Sequence, residues 1–287
     1  MRFAFLLGFL LNISIVYGCE VLDDEGRVVA LAHPAKRIIS LAPDLTELVF
    51  AAGAGSAVVG VMRHSDYPEG ATRLPVVADV NHVDIERLLM LRPDLIVTWF
   101  SGTIPQQVIH KGMPVYFSNT RRLSDIPSTL KRLGCLAGTD SIAVAAANDF
   151  SNRYELLQQR YQRKQPISVF YQVWPSPLMT ITRRSWINEL IELCGGRNVF
   201  ADLTGSAVNV SMEAVLLKNP FVILGAASPD NGQVSWQHWQ RIDAVKRHFI
   251  FALHPDWVER AGPRILLGAE EMCRAIDQAR QGANHVS

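Results

Sequence analysis

Residues 83–97 read VDIERLLMLRPDLIV, and residues 210–224 read VSMEAVLLKNPFVIL. The second stretch lies on the first without a gap. Asp84 and Ser211 are helix-capping residue types, each placed two before a glutamate, Glu86 and Glu213. Pro93 and Pro220 each follow their glutamate by one fixed interval, and each opens an apolar run (Leu95–Val97 and Val222–Leu224) that reads as a buried strand. One cap–helix–proline–strand unit therefore occurs in each half of the chain; the match is too short to prove duplication, but each half contains the same supersecondary unit.

Working outward, short apolar strands alternate with amphipathic segments. Arg37–Leu41, Val58–Val61, Leu95–Trp99 and Val115–Phe117 read as strands of the first half. Asp44-Leu45-Thr46-Glu47 has the D-x-x-E form of a capping box and opens a helix that Gly53 and Gly55 stop. Ile167–Val173, Phe221–Leu224 and Phe249–Leu253 read as strands of the second half. There Ser185 caps a helix that runs to Leu193 and stops at Cys194-Gly195-Gly196. Pro263 sits where a first helical residue belongs, and the final helix runs to about Arg280. Strands separated by helices of this length predict parallel β-α units.

Between the halves, Thr139–Lys164 has no glycine or proline and is rich in helix formers. It predicts a helix of about 22 residues, near 33 Å long, that Pro166 ends. The expected fold is α/β: two Rossmann-like lobes with parallel sheets, joined by one long rigid helix, with a ligand cleft between them. The boundaries are a leader at 1–18, a first lobe at 19–138, the connecting helix at 139–164 and a second lobe at 165–287.

The leader has Arg2, then a mostly apolar run from Phe3 to Val16, then small residues at Gly18 and Cys19. That is a signal-peptide pattern, with an apolar stretch too short to span a bilayer comfortably. Val16-Tyr17-Gly18-Cys19 resembles a lipoprotein box that would lipidate Cys19, and it fits a plain cut after Gly18 equally well. Export places the four cysteines, Cys19, Cys135, Cys194 and Cys273, in an oxidising compartment where disulfides persist. Their spacing leaves several pairings open. It offers no CxxC and no Cys/His cluster for a structural zinc. A net charge of +1 gives no pull toward nucleic acid. The sequence carries no P-loop, GxGxxG or G-x-S-x-G, and nothing assembles a nucleophile with a base. Binding is favoured over catalysis.

Two loops at strand ends carry groups suited to a large polar ligand: Met62–Pro68 in the first half and His254–Arg264 in the second. Either is also readable as a turn whose aspartate caps the next helix.

The chain resembles the vitamin B12-binding proteins of bacterial ABC importers, a branch of the helical-backbone metal-chelate binding proteins. The resemblance runs through Thr46-Glu47-Leu48 with Phe50-Ala51-Ala52-Gly53, Ser65-Asp66-Tyr67-Pro68, Glu86-Arg87-Leu88 with Pro93-Asp94-Leu95, Cys194-Gly195-Gly196, Asp256-Trp257, Glu259-Arg260-Ala261 and Pro263-Arg264-Ile265. It implies a periplasmic carrier, not an enzyme. The transported ligand would be cobalamin or a related corrinoid, and no resident cofactor or metal is expected.

The resemblance further implies that Glu86 and Glu213 dock onto arginines of a dimeric membrane permease, that Cys194 pairs with Cys273, and that the carrier is a monomer. Cys19 and Cys135 have no partner in that pattern, and Cys135 reads as a buried thiol. For the ligand it implies Trp99 and the segment Asp256, Trp257, Val258, Glu259 and Arg260. Four aromatic positions of the pattern are replaced here, by His64, Val80, Met179 and Ala207. Trp174, Tyr171, Trp236 and Trp239 are candidates to compensate. His64 could stack or hydrogen-bond at the cleft rim, or act as an axial ligand of a chelated metal. The rival readings are a haem or ferric-siderophore carrier, with Arg63, Arg183 and Arg184 as anion partners, and an exported hydrolase using His64, Asp66 or Asp256.

Overall fold

Each half of the chain builds its own parallel sheet, and the two share the order of four strands. The computed structural model describes residues 18–99, 104, 109, 112–161, 164–226 and 236–284. The leader expected at 1–18 lies outside the described residues up to position 17. A hairpin of β1 (Cys19–Leu22) and β2 (Val28–Leu31) precedes the first sheet. That sheet is made of β3 (Ile38–Ser40), β4 (Val58–Met62), β5 (Val76–Ala78), β6 (Leu95–Thr98) and β7 (Val115–Phe117), in the order β5-β4-β3-β6-β7.

The second half contributes β8 (Ile167–Gln172), β9 (Trp174–Pro175), β10 (Leu178–Ile181), β11 (Gly196–Asn198), β12 (Ala207–Asn209), β13 (Val222–Ala226) and β14 (Ile250–Leu253). Its parallel sheet runs β11-β8-β13-β14, and β12-β10-β9 form a small antiparallel sheet.

The order β4-β3-β6-β7 is the order β11-β8-β13-β14. The helices match as well. In the first half α1 (Pro43–Ala51) links β3 to β4 and α2 (Ile85–Met90) leads into β6. After the intervening α3 (Ile126–Ala137) and α4 (Asp140–Tyr161), α5 (Trp186–Leu193) links β8 to β11 and α6 (Met212–Lys218) leads into β13. The short α7 (Asp243–Lys246) and α8 (Pro255–Val258) flank β14, and α9 (Ile265–Asn284) ends the described chain. The repeat in the sequence is thus α2 with β6 and α6 with β13.

The connecting helix α4 spans 22 residues, about 33 Å at 1.5 Å per residue. Gly138 turns the chain into it with a left-handed φ of 69°. One apolar core continues from the first sheet through α4 into the second: Val97, Leu130, Phe150, Leu157, Val169, Leu224 and Ile276 belong to a single buried cluster. The lobes are therefore fused along the helix layer, and the opposite side, at the carboxyl ends of the strands, is left for a cleft. Among the described residues no helix is long and apolar enough to cross a membrane.

Three expectations need correction. Asp44 and Glu47 do not form a capping box. The helix begins two residues earlier, at Pro43, its N-cap is Ala42 with no side-chain cap bond, and both carboxylates are spent on tertiary partners described below. Pro263 is not the first helical residue, because the helix begins at Ile265. Segment 259–264 instead folds against α1, where a Cβ on Gly262 would stand 3.3 Å from a Glu47 carboxylate oxygen. Cys135 is not a thiol: it is bonded to Cys19, tying the β1 strand to α3. Cys194 is bonded to Cys273, which ties the end of α5 to α9.

Candidate functional site

The carboxyl ends of β3, β6, β7 and β14 open into one cavity of about 490 Å³. Each strand delivers its wall residues through the turn that follows it. Pro43 and Asp44 come after β3, Trp99 after β6, and Ser118, Asn119 and Thr120 after β7. Across the cleft, Pro255, Asp256, Glu259, Arg260 and Ala261 come after β14, and Trp186 comes from the start of α5. In open α/β sheets the connections leaving the carboxyl ends of the strands diverge where the strand order reverses, and ligands bind in the crevice left there. A second cavity, of about 360 Å³, is lined by residues of α4 and α9 alone and draws on no strand end.

Asp44 is buried in the first lobe's wall and accepts a 2.9 Å hydrogen bond from the Trp99 indole Nε1. That bond fixes the indole at the cavity. Burial outweighs it and pushes the Asp44 carboxyl up to about 6. Across the cleft, burial and the neighbouring Asp256 charge raise Glu259 above the usual carboxylate range. The Trp186 indole donates to the Val258 carbonyl at 3.0 Å, which holds α5 against α8. The Thr120 hydroxyl is buried in the wall and has no hydrogen-bond partner among the described residues.

The lobes are also tied by charge beside the cavity. Glu47 of α1 is almost wholly buried. It receives Arg264 in a fork, Nε to Oε2 at 2.9 Å and Nη2 to Oε1 at 2.6 Å. Arg260 Nη1 reaches Glu47 at 3.3 Å and Asp66 at 2.6 Å, while its Nη2 meets Asp256 at 2.9 Å. Partial burial works to raise Asp66, but the hydrogen bond and charge of Arg260 outweigh it and hold that carboxyl below its usual value. Arg264 also lies 4.0 Å from the centre of the Tyr67 ring, a cation–π distance.

Of the residues the sequence nominates for the ligand, Trp99, Asp256, Glu259 and Arg260 lie on the cavity wall. Val258 is buried beneath it, and Trp257 stacks on His254 with ring centres 4.4 Å apart. His64 is exposed at a tight turn after β4, in a left-handed conformation (φ 68°), and is not among the wall residues. Among the described residues no cluster of His, Cys, Asp or Glu could hold a metal ion.

Sequence reasoning missed Asp44 as a wall residue, the Ser118–Thr120 turn and Trp186. The position of each just after a strand or at a helix start was the available signal. Of the candidate compensating aromatics, Tyr171 and Trp236 are buried, with the Trp236 indole bonded to Gln172. Trp239 is half-buried against the core of the second lobe. Trp174 is exposed on β9, directly opposite Met179 of β10.

Glu86 and Glu213 are both exposed, each in the first turn of its helix. Asp84 and Ser211 cap those helices alike, accepting from Arg87 N at 3.0 Å and Ala214 N at 3.2 Å. Hydrogen bonds from its own backbone N–H and from Ser211 lower the Glu213 carboxyl.

Residues 38–257 match the family model described as periplasmic binding protein. The chain is 36% identical over 267 residues to a vitamin B12-binding protein of Vibrio cholerae serotype O1, covering 92% of this chain and 97% of the relative. A vitamin B12-binding protein of Yersinia pestis is 36% identical over 252 residues, covering 85% and 88%. Among solved structures, the periplasmic vitamin B12 binding protein of Vibrio cholerae superposes with a TM-score of 0.78 at 37% identity, covering 86% of this chain and 98% of that one. A periplasmic heme-binding protein of Roseiflexus sp. RS-1 shares the fold, with a TM-score of 0.73 at 22% identity over 85% and 99%.

Proposed function

Because the chain belongs to the periplasmic binding protein family, we propose that it captures vitamin B12 or a closely related corrinoid and delivers it to the permease of an ABC importer. The relatives named for vitamin B12 support this ligand. The observation that carries it is the make-up of the cavity wall. Two tryptophans, Trp99 and Trp186, offer apolar rings, and Ser118, Asn119 and Thr120 offer uncharged polar groups. The ionisable groups there are Asp44, Asp256, Glu259 and Arg260, and the arginine is already paired with Asp66, Asp256 and Glu47.

An acid-rich wall suits a corrin ring fringed with neutral amides. It opposes haem or an anionic siderophore, whose carboxylates would meet like charge. Arg63, Arg183 and Arg184 are not on the wall, and Arg183 is paired with Asp202. A hydrolytic reading finds no support in His64, Asp66 or Asp256, since Asp66 and Asp256 are both engaged by Arg260.

The ligand contacts in this reading are Trp99, Asp256, Glu259 and Arg260, with Trp257 and Val258 supporting them and His64 at the rim. Glu86 and Glu213 meet basic residues of a dimeric permease, and the carrier acts as a monomer. The chain is exported through its apolar leader. The Cys19–Cys135 disulfide supports a plain cut after Gly18 over a lipid anchor, since one sulfur cannot hold both.

Uptake assays test the importer role. In proteoliposomes holding the cognate permease and its ATPase, the chain should drive ATP-dependent entry of cyanocobalamin. Reversing charge at Glu86 and Glu213 together should stop entry without changing ligand affinity. Normal entry by the double variant refutes the docking role.

A further inference from the structure

Met90 and Leu217 are the most exposed large apolar side chains among the described residues, at 81% and 86%. Neither position is arbitrary. Met90 stands four residues after Glu86 in α2, and Leu217 stands four after Glu213 in α6. Residues four apart on a helix share a face, so each lobe presents a carboxylate and an apolar side chain together. The intervening Leu88 and Val215, about 200° around the helix from Met90 and Leu217, are fully buried and anchor each helix to its lobe.

α2 and α6 are topological equivalents, each leading into the matching central strand, β6 or β13. The same two-part feature is therefore displayed twice, once per lobe. Isolated exposed apolar residues are ordinary on a protein surface. A matched pair, at equal offsets from matched carboxylates on equivalent elements, is not accounted for by folding, because both side chains are more than four-fifths exposed among the described residues.

We propose that Met90 and Leu217 are paired apolar anchors for a membrane-embedded partner with two equivalent seats, each seat offering a cation beside an apolar recess. The partner is the importer permease, so the inference rests on the docking role of Glu86 and Glu213 and adds a second contact to it. The division of labour follows from the chemistry. The carboxylates attract and orient the carrier over distance, an effect that salt screens, while the apolar anchors act at contact and slow its release.

The test measures binding of the ligand-loaded chain to the cognate permease–ATPase complex in lipid nanodiscs, at low and high salt. M90A and L217A should each weaken binding several-fold, and the double variant should weaken it roughly tenfold or more, mainly through faster release and at both salt concentrations. Affinity for cyanocobalamin should be unchanged in all three. The comparison variant E86K/E213K should lose association at low salt.

If E86K/E213K fails to bind while M90A/L217A binds like the wild type, the anchors are refuted and the docking glutamates stand. If neither double variant is impaired, the docking role falls and the anchors with it. Equal binding of the wild type to empty nanodiscs of the same lipids would overturn the proposal in favour of a lipid surface. So would concentration-dependent dimerisation of the wild type, abolished in M90A/L217A, in favour of a second copy.

Discussion

Glu47 and Arg264 lie 217 residues apart in the chain and meet across the cleft in a two-point ion pair, with bonds of 2.9 and 2.6 Å. The carboxylate is almost completely buried at the start of the first lobe, and the guanidinium comes from the turn before the last helix. Arg260 joins the same carboxylate and extends the pair to Asp66 and Asp256. The cleft is thus bridged beside the cavity by a charge network as well as by the helix layer behind it.

Removing the buried anion leaves the Arg264 guanidinium without its counter-charge, next to an Arg260 that keeps Asp66 and Asp256. Breaking a buried pair from one side costs about 3–5 kcal/mol. Glu47→Ala should lower unfolding stability by about that range in urea titrations at neutral pH. Arg264→Lys, which keeps the charge and loses the fork, should cost less. Equal stability of Glu47→Ala and the wild type would mean that the network contributes nothing.

Asp44 should impose a pH dependence of the opposite sense to an ordinary paired carboxylate. Its folded-state value, about 6, lies above the ordinary 3.8. The folded protein therefore holds this proton more tightly than the unfolded chain does. The stabilisation is complete below about pH 4 and disappears as pH rises through about 6. Asp44→Asn mimics the protonated form. The stability of the wild type relative to Asp44→Asn should fall by about 2 kcal/mol between pH 4 and pH 7. A difference that stays constant over that window contradicts a raised Asp44.

Trp174 is exposed and faces Met179 across β9 and β10, and we propose that its ring takes the place of the aromatic that the family resemblance expects at Met179. Cross-strand neighbours on one face share a contact surface. Trp174→Ala should weaken cyanocobalamin binding roughly tenfold by calorimetry, an aromatic contact being worth about 0.5–1.5 kcal/mol beyond its buried area. Trp236→Ala, in contrast, should act on folding, because that ring is buried in the second lobe's core between Phe170 and Gln172. Unchanged affinity in Trp174→Ala removes it from the site.

The Cys19–Cys135 bond closes a separation of 116 residues and the Cys194–Cys273 bond one of 79. Loops of that size are nominally worth about 4–5 kcal/mol each. Protein isolated from the periplasm should start at Cys19, carry no lipid mass and show no thiol reactive to iodoacetamide before reduction. Dithiothreitol should lower its urea midpoint. A lipid adduct on Cys19, with Cys135 alkylated, would overturn that pairing.

The fold was readable because it rests on local pattern. Capping residues, periodic apolar runs and a glycine-free helix leave marks within a few residues, and the 83–97 and 210–224 match places one supersecondary unit in each half. The four wall residues Trp99, Asp256, Glu259 and Arg260 were reached through family resemblance. Asp44 and Glu47 were misread because a D-x-x-E spacing at a helix start is a cap in isolation. Only the arrival of Trp99 and Arg264 from distant segments, which no local window reveals, turns those carboxylates to tertiary use. Cys135 was misread for the same reason, its partner lying in a hairpin that the sequence left unassigned. Trp186 and the Ser118–Thr120 turn carry no distinctive motif, and only the alignment of strand ends brings them to one cavity.

The most direct test of the account is a calorimetric titration of the purified chain with cyanocobalamin, cobinamide and haem in parallel. The acid-rich wall and the two tryptophans predict saturable binding of one molecule of either corrinoid per chain, with haem at least tenfold weaker. Haem binding more tightly than both corrinoids, or no heat with either corrinoid, would contradict it.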